Sequence, residues 1–185
     1  MTLNRRLALC AISLVASLTS TARGQGLRST CADAVQEQFG GFLGSWRVET
    51  VFRAGDSAWD STTATATITS ELSGCLLREE YRGERSGEPY TYVALWGVNG
   101  LEPASYQRTF AHSQHGLLIL REGGFVGDTL VLRSTTDVRG QAILEEDRIT
   151  RPTSSGFALI NRRSTDGGGL WITTRRSHYV RYSGH

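Results

Sequence analysis

Phe39-Gly40-Gly41-Phe42-Leu43-Gly44-Ser45-Trp46-Arg47-Val48-Glu49 is the stretch on which the fold turns. Phe39, Phe42, Leu43 and Trp46 crowd four large apolar groups into eight positions that also hold three glycines, so the backbone must turn tightly while the rings are buried. From Trp46 onward the pattern has period two: Trp46, Val48, Thr50 and Phe52 share one face, and Arg47, Glu49, Val51 and Arg53 the other. A half-buried antiparallel strand fits that alternation. One strand cannot cover Trp46 and Phe52 by itself, so the rest of the chain must supply a sheet that closes over them.

Upstream of this stretch the chain reads as an address. Arg5-Arg6 forms a basic segment, positions 7 to 18 are mostly apolar, and Ala22-Arg23-Gly24 offers small residues where a signal peptidase cleaves. We expect a leader over 1–24 with cleavage after Gly24, Ala22 being the other choice. The apolar run is too short to span a bilayer, and Leu9 before Cys10 is the wrong neighbour for a lipid-attachment cysteine. The expected product is exported, periplasmic or extracellular, and its remaining length of about 161 residues suits one domain.

Charge changes meaning after that cut. All 20 basic residues are arginine, and Arg5, Arg6 and Arg23 leave with the leader while all 18 acids stay, so 17 against 18 leaves a net charge of −1. That balance gives no case for nucleic acid binding. Cys10 also departs, and Cys31 and Cys75, an even pair in an exported chain, are expected to form a disulfide.

Residues 25–41 read as a short lead, Gln25 to Thr30, then a brief helix opened by Thr30-Cys31-Ala32-Asp33 and stopped by Gly40-Gly41. Helical periodicity does not return. Over 42–182, strands are expected near 46–52, 61–70, 75–82, 90–96, 104–112, 117–122, 129–134, 142–151, 156–163 and 170–181. The turns between them are Ala54-Gly55-Asp56, Ser73-Gly74, Ser86-Gly87-Glu88-Pro89, Asn99-Gly100, Gly123-Gly124, Arg139-Gly140, Ser154-Ser155 and Asp166-Gly167-Gly168-Gly169. Short connections throughout make an up-and-down meander the simplest topology, and closure removes its exposed edges. The fold class expected is therefore all-β: an up-and-down antiparallel barrel of about eight to ten strands with a short N-terminal helix. Thr63, Thr65, Thr67 and Thr69 alternate with Ala64, Ala66 and Ile68, an outward threonine ladder whose small inward partners would leave room inside.

Gly44-Ser45-Trp46 after a short helix, the meander, and the closing Tyr179-Val180-Arg181 resemble the lipocalin-like (calycin) barrels. More closely, Phe42-Leu43-Gly44-Ser45-Trp46, Leu72-Ser73-Gly74-Cys75, Trp96-Gly97-Val98-Asn99 and the strand from Tyr106 to Ser113 are similar to a bacterial family of lipocalin-like domains of unassigned function. Asn99 and Ala111 stand where that pattern usually has Asp. In lipocalins a late arginine stacks on the Gly-x-Trp indole and closes one end of the barrel. The resemblance therefore implies that Trp46 and Arg181 form a structural plug, Arg181 sharing strand parity with Trp171 and Tyr179, which are expected to face inward. It also implies a cavity for a small apolar or amphipathic molecule.

The candidates for that cavity lie on the aromatic faces. Tyr90, Tyr92, Ala94 and Trp96 share one side of a strand, and Tyr106, Arg108, Phe110 and His112 one side of the next. With Tyr81 they could wall a pocket of rings with one guanidinium, or simply fill the core. His112-Ser113-Gln114-His115 lacks zinc-site spacing and reads as a surface turn, so no metal or other cofactor is assigned. His178, opposite in parity to Tyr179, is expected outside, which argues against a haem-ligand role.

Glu79-Glu80 and Glu145-Glu146-Asp147 are adjacent carboxylates that a strand sends to opposite faces, the outward ones expected in solvent. An inward Glu79 near Arg108 or Arg148 would be an internal ion pair. No nucleophile elbow, phosphate loop or dinucleotide fingerprint is present. The leading expectation is a small-molecule carrier. An enzyme using His112 and Arg108, or an interaction module with a filled core, are the alternatives.

Overall fold

The computed structural model describes residues 26–55, 57–99 and 105–182. The leader expected at 1–24, Cys10, Gln25, Asp56, Gly100 and Ala104 lie outside the described residues. Among the described residues ten strands follow one α-helix, all antiparallel and each paired with its neighbours in sequence, and the first pairs with the last to close a barrel. They are β1 (Gly44–Arg53), β2 (Trp59–Glu71), β3 (Leu76–Arg85), β4 (Glu88–Asn99), β5 (Ser105–His112), β6 (His115–Val126), β7 (Thr129–Val138), β8 (Gln141–Thr150), β9 (Phe157–Ser164) and β10 (Ile172–Arg181). Helix α1 (Gly26–Phe39) begins ahead of the Thr30-Cys31-Ala32-Asp33 box expected to open it, and runs into a 3-10 turn at Gly40–Phe42.

The alternation in β1 survives intact: Trp46, Val48, Thr50 and Phe52 are buried while Arg47 and Glu49 are exposed. In β2, Ala64, Ala66 and Ile68 face in and Thr63, Thr65, Thr67 and Thr69 face out. The room expected beside the small residues is taken up, because Ala66 pairs across the sheet with Tyr81, whose ring stacks on Tyr92 at 4.7 Å.

One end of the barrel, the base, is stoppered. Phe39 and Phe42 enter it from α1 and the 3-10 turn, fully buried, and their rings meet Trp96, Tyr106 and Phe157 at 4.9 to 5.9 Å. Cys31 on α1 is joined to Cys75, just before β3, across 44 positions of sequence. On the chain-entropy estimate a loop of that length is worth about 4 kcal/mol. No described helix is long and apolar enough to cross a membrane.

Three expectations are corrected. Gly123-Gly124 is not a turn but lies inside β6, and the reversal comes at Gly127-Asp128. A glycine is required at 123 for approach rather than bending, since a Cβ there would sit 2.0 Å from the Val131 carbonyl oxygen on β7. Trp171 is not inward in phase with Tyr179. The pairing of β10 with β9 shifts register between Thr173 and Arg175, and the half-exposed Trp171 ring carries the Arg162 guanidinium at 5.2 Å. Glu146 faces outward yet is not in solvent: its carboxylate is buried beneath Arg133, Arg148 and Arg162 at 2.8 to 3.5 Å.

Candidate functional site

At the base, β1 and β10 pair so that Trp46 and Arg181 stand opposite each other. The Arg181 guanidinium lies 4.5 Å from the centre of the buried Trp46 ring, and its two terminal nitrogens donate to the Leu43 and Gly41 carbonyls at 3.0 and 2.9 Å. Trp46 Nε1 donates to the Phe42 carbonyl at 2.9 Å, so indole and cation both fasten the 3-10 turn. Gly44 is needed here on two counts: its φ is +130°, and a Cβ would lie 2.9 Å from Arg181 Nη1. The guanidinium itself is exposed, so its contact with the indole is worth about 0.5–1 kcal/mol.

Above this floor the interior turns polar. Glu79, fully buried on β3, accepts four hydrogen bonds: from the Tyr92 and Tyr179 hydroxyls at 2.5 and 2.8 Å, from Trp96 Nε1 at 3.1 Å and from Arg108 Nη2 at 3.0 Å. Of the two arginines expected near an inward Glu79, Arg108 is its partner, while Arg148 belongs to the outer cluster on Glu146. Arg108 continues to Asp147 on β8 at 3.1 Å; Arg121 and Asn161 also donate to Asp147, and Arg121 reaches Glu145 at 2.9 Å. Glu145 ends the chain on Arg163 at 3.1 Å. Burial opposes charge on Arg108, but Glu79, Asp147 and the facing Tyr92 outweigh it and hold the guanidinium above its usual value. Burial, then the Glu79 charge, pushes the Tyr92 and Tyr179 hydroxyls well above theirs, so both remain donors.

At the other end of the barrel, the mouth, the network opens onto a cavity of about 330 Å³. Phe52, Tyr90, Tyr92, Phe110, His112 and Ile119 supply ring and aliphatic wall, and Arg85, Arg108, Arg121, Arg163 and Arg175 supply guanidiniums. His112 and Tyr90 lie 5.5 Å apart, ring centre to ring centre. A larger concavity of about 660 Å³ lies on the outer wall over β1, β2, β9 and β10, where small side chains such as Ser61, Thr63 and Ala158 leave a dent. Its lining holds one ring, the exposed His178 imidazole, and the exposed Glu49 and Arg176, against the several rings and guanidiniums of the mouth, which is the better candidate site.

Of the residues singled out from sequence, Tyr92, Arg108, Phe110 and His112 line the mouth. Tyr81, Trp96 and Tyr106 do not. Tyr81 lies in the core, donating to Thr50 at 3.3 Å; Trp96 packs on Phe39 and Phe42; Tyr106 packs on Phe39 and Phe125 at the base. Arg108, set between two carboxylates, is no free cation for catalysis. Arg85 and Arg175 were not anticipated. Arg175 has the parity of Tyr179, a signal present in the sequence, whereas Arg85 stands at a strand end where alternation carries little information. His178 is exposed on the outer wall. Among the described residues no group of three His, Cys, Asp or Glu side chains is placed to hold a metal.

No protein-family model matches the sequence, and no curated protein does. Solved structures do resemble it. Rv2717c from M. tuberculosis superimposes with a TM-score of 0.55 at 13% identity, over 80% of this chain and 97% of that one. The S-type phycobiliprotein lyase CPES from Guillardia theta matches at a TM-score of 0.45 and 14% identity, over 85% of this chain and 98% of that one. At 13% identity the likeness to Rv2717c is one of fold alone, that of an antiparallel barrel.

Proposed function

We propose that this barrel binds a small amphipathic molecule at its mouth. The observation that carries the reading is the cavity of about 330 Å³ where Phe52, Tyr90, Phe110 and Ile119 face a set of guanidiniums. An apolar body fits the ring wall, and a polar end fits the cations. The filled base supports the same reading, because it confines a ligand to the mouth and limits its size. Export belongs to this proposal: a leader removed after Gly24 would deliver the barrel to an oxidising compartment, which suits the Cys31–Cys75 pair.

The test is saturable binding of the neutral probe 2-naphthamide by titration calorimetry to the wild type and to Ile119→Trp. The larger ring at this half-exposed cavity position is expected to abolish binding without unfolding the barrel. Native mass spectrometry of protein from its own host should show a co-purifying small mass. If neither the probe nor a native ligand is held, the cavity is not a binding site.

A further inference from the structure

Charge at the mouth does not balance. Among the described residues five guanidiniums line the cavity, whereas the carboxylates paired with them are three, Glu79, Asp147 and Glu145, leaving two positive charges over. The excess can be located. Arg108, Arg121 and Arg163 each hold a carboxylate. Among the described residues Arg85 and Arg175 hold none: Arg85 lies over the Phe52 and Tyr90 rings at 5.1 and 6.0 Å, and Arg175 over Tyr92 at 5.5 Å. Arg175 is only 8% exposed and its Nε has no hydrogen-bond partner.

A buried guanidinium with no counter-charge is costly to fold around, and ring contacts return only part of that cost. In the same interior, Glu79 and Asp147 each have several donors, so the barrel does satisfy its charges elsewhere. The unpaired cations stand where a ligand would enter, with the ring wall beside them. Resting on the cavity reading above, we propose that the ligand is an organic acid whose carboxylate pairs with Arg175 and Arg85, its apolar body lying against Phe52, Tyr90 and Phe110. Bidentate pairing of carboxylate with guanidinium is the geometry arginine supplies best.

The test uses two probes of one shape, 2-naphthoate and neutral 2-naphthamide, titrated into the mature protein. Wild type should bind the acid at least about tenfold more tightly than the amide, a preference that salt weakens. Arg175→Gln should bring the two probes to within about twofold by losing affinity for the acid alone, and Arg85→Gln should act in the same direction. Because it removes an uncompensated buried charge, Arg175→Gln should also melt at or above the wild-type temperature. Equal binding of the two probes to wild type, a preference that survives in Arg175→Gln, or a clear drop in its melting temperature would overturn the acid assignment while leaving a neutral-ligand cavity intact. Binding of neither probe overturns the cavity reading and this one with it.

Discussion

Arg108 on β5 and Asp147 on β8 meet at 3.1 Å although β6 and β7 separate their strands in the wall. The pair therefore spans the barrel's interior. With Glu79 on β3 on the other side of the same guanidinium, three strands are tied by charge through the lumen. Such a brace does not make the fold more stable than a hydrophobic filling would. It favours the one arrangement of the walls in which Glu79, Arg108 and Asp147 all keep their partners.

Removing the middle member should therefore cost far more than removing the whole set. Arg108→Met leaves Glu79 and Asp147 buried without their shared cation, and is expected to lose about 3–5 kcal/mol of stability. The triple variant Glu79→Met, Arg108→Met, Asp147→Leu should lose much less than the sum of the single changes. Urea unfolding of the wild type, the three single variants and the triple variant checks this. Additive losses would mean that the three side chains are not one unit.

At the base the expectation is smaller and purely structural. Arg181→Ala removes an exposed contact with the Trp46 ring and two hydrogen bonds to the carbonyls of Gly41 and Leu43. A loss of about 1–2 kcal/mol follows, with no change in probe affinity, since Arg181 does not line the mouth cavity. Chemical denaturation together with 2-naphthamide titration separates the two effects. Unchanged stability, or weakened binding, would refute the assignment.

The sequence carried the barrel because alternation is a local property: Trp46 to Phe52 and Ala64 to Ile68 point as their parity says. Parity left an inward Glu79 to meet either Arg108 or Arg148, and the assembled interior selects Arg108. It could not say how high along the axis a side chain sits, since that depends on the stagger of ten strands. Trp96 and Tyr92 share a face, yet one packs against the floor and the other reaches the mouth. Nor could it foresee the register shift between Thr173 and Arg175, which puts Trp171 out of phase with Tyr179. Arg175 escaped notice for another reason. Its parity with Tyr179 is legible, but an inward arginine without an acid to meet it runs against the ordinary distribution of charge, and only the assembled interior shows that no described carboxylate reaches it.

The tyrosines at the centre give the fold an alkaline limit. Burial, followed by the Glu79 charge, raises Tyr92 and Tyr179 well above the ordinary value of 10.0, and burial also raises Tyr81. In the unfolded chain all three ionise near 10. Below that pH folded and unfolded states hold the same tyrosine protons, so these groups leave stability flat. Above it the unfolded chain releases protons that the folded barrel keeps, and stability falls as pH rises, by about 1.4 kcal/mol per pH unit for each such tyrosine. Urea unfolding at pH 8, 9, 10 and 11 should show the decline setting in near 10. Tyrosinate absorbance in the native protein should account for fewer than the six tyrosines of the chain until the barrel opens. Stability that holds steady to pH 11, or full tyrosinate absorbance while the barrel is still folded, would contradict hydroxyls locked as donors to Glu79.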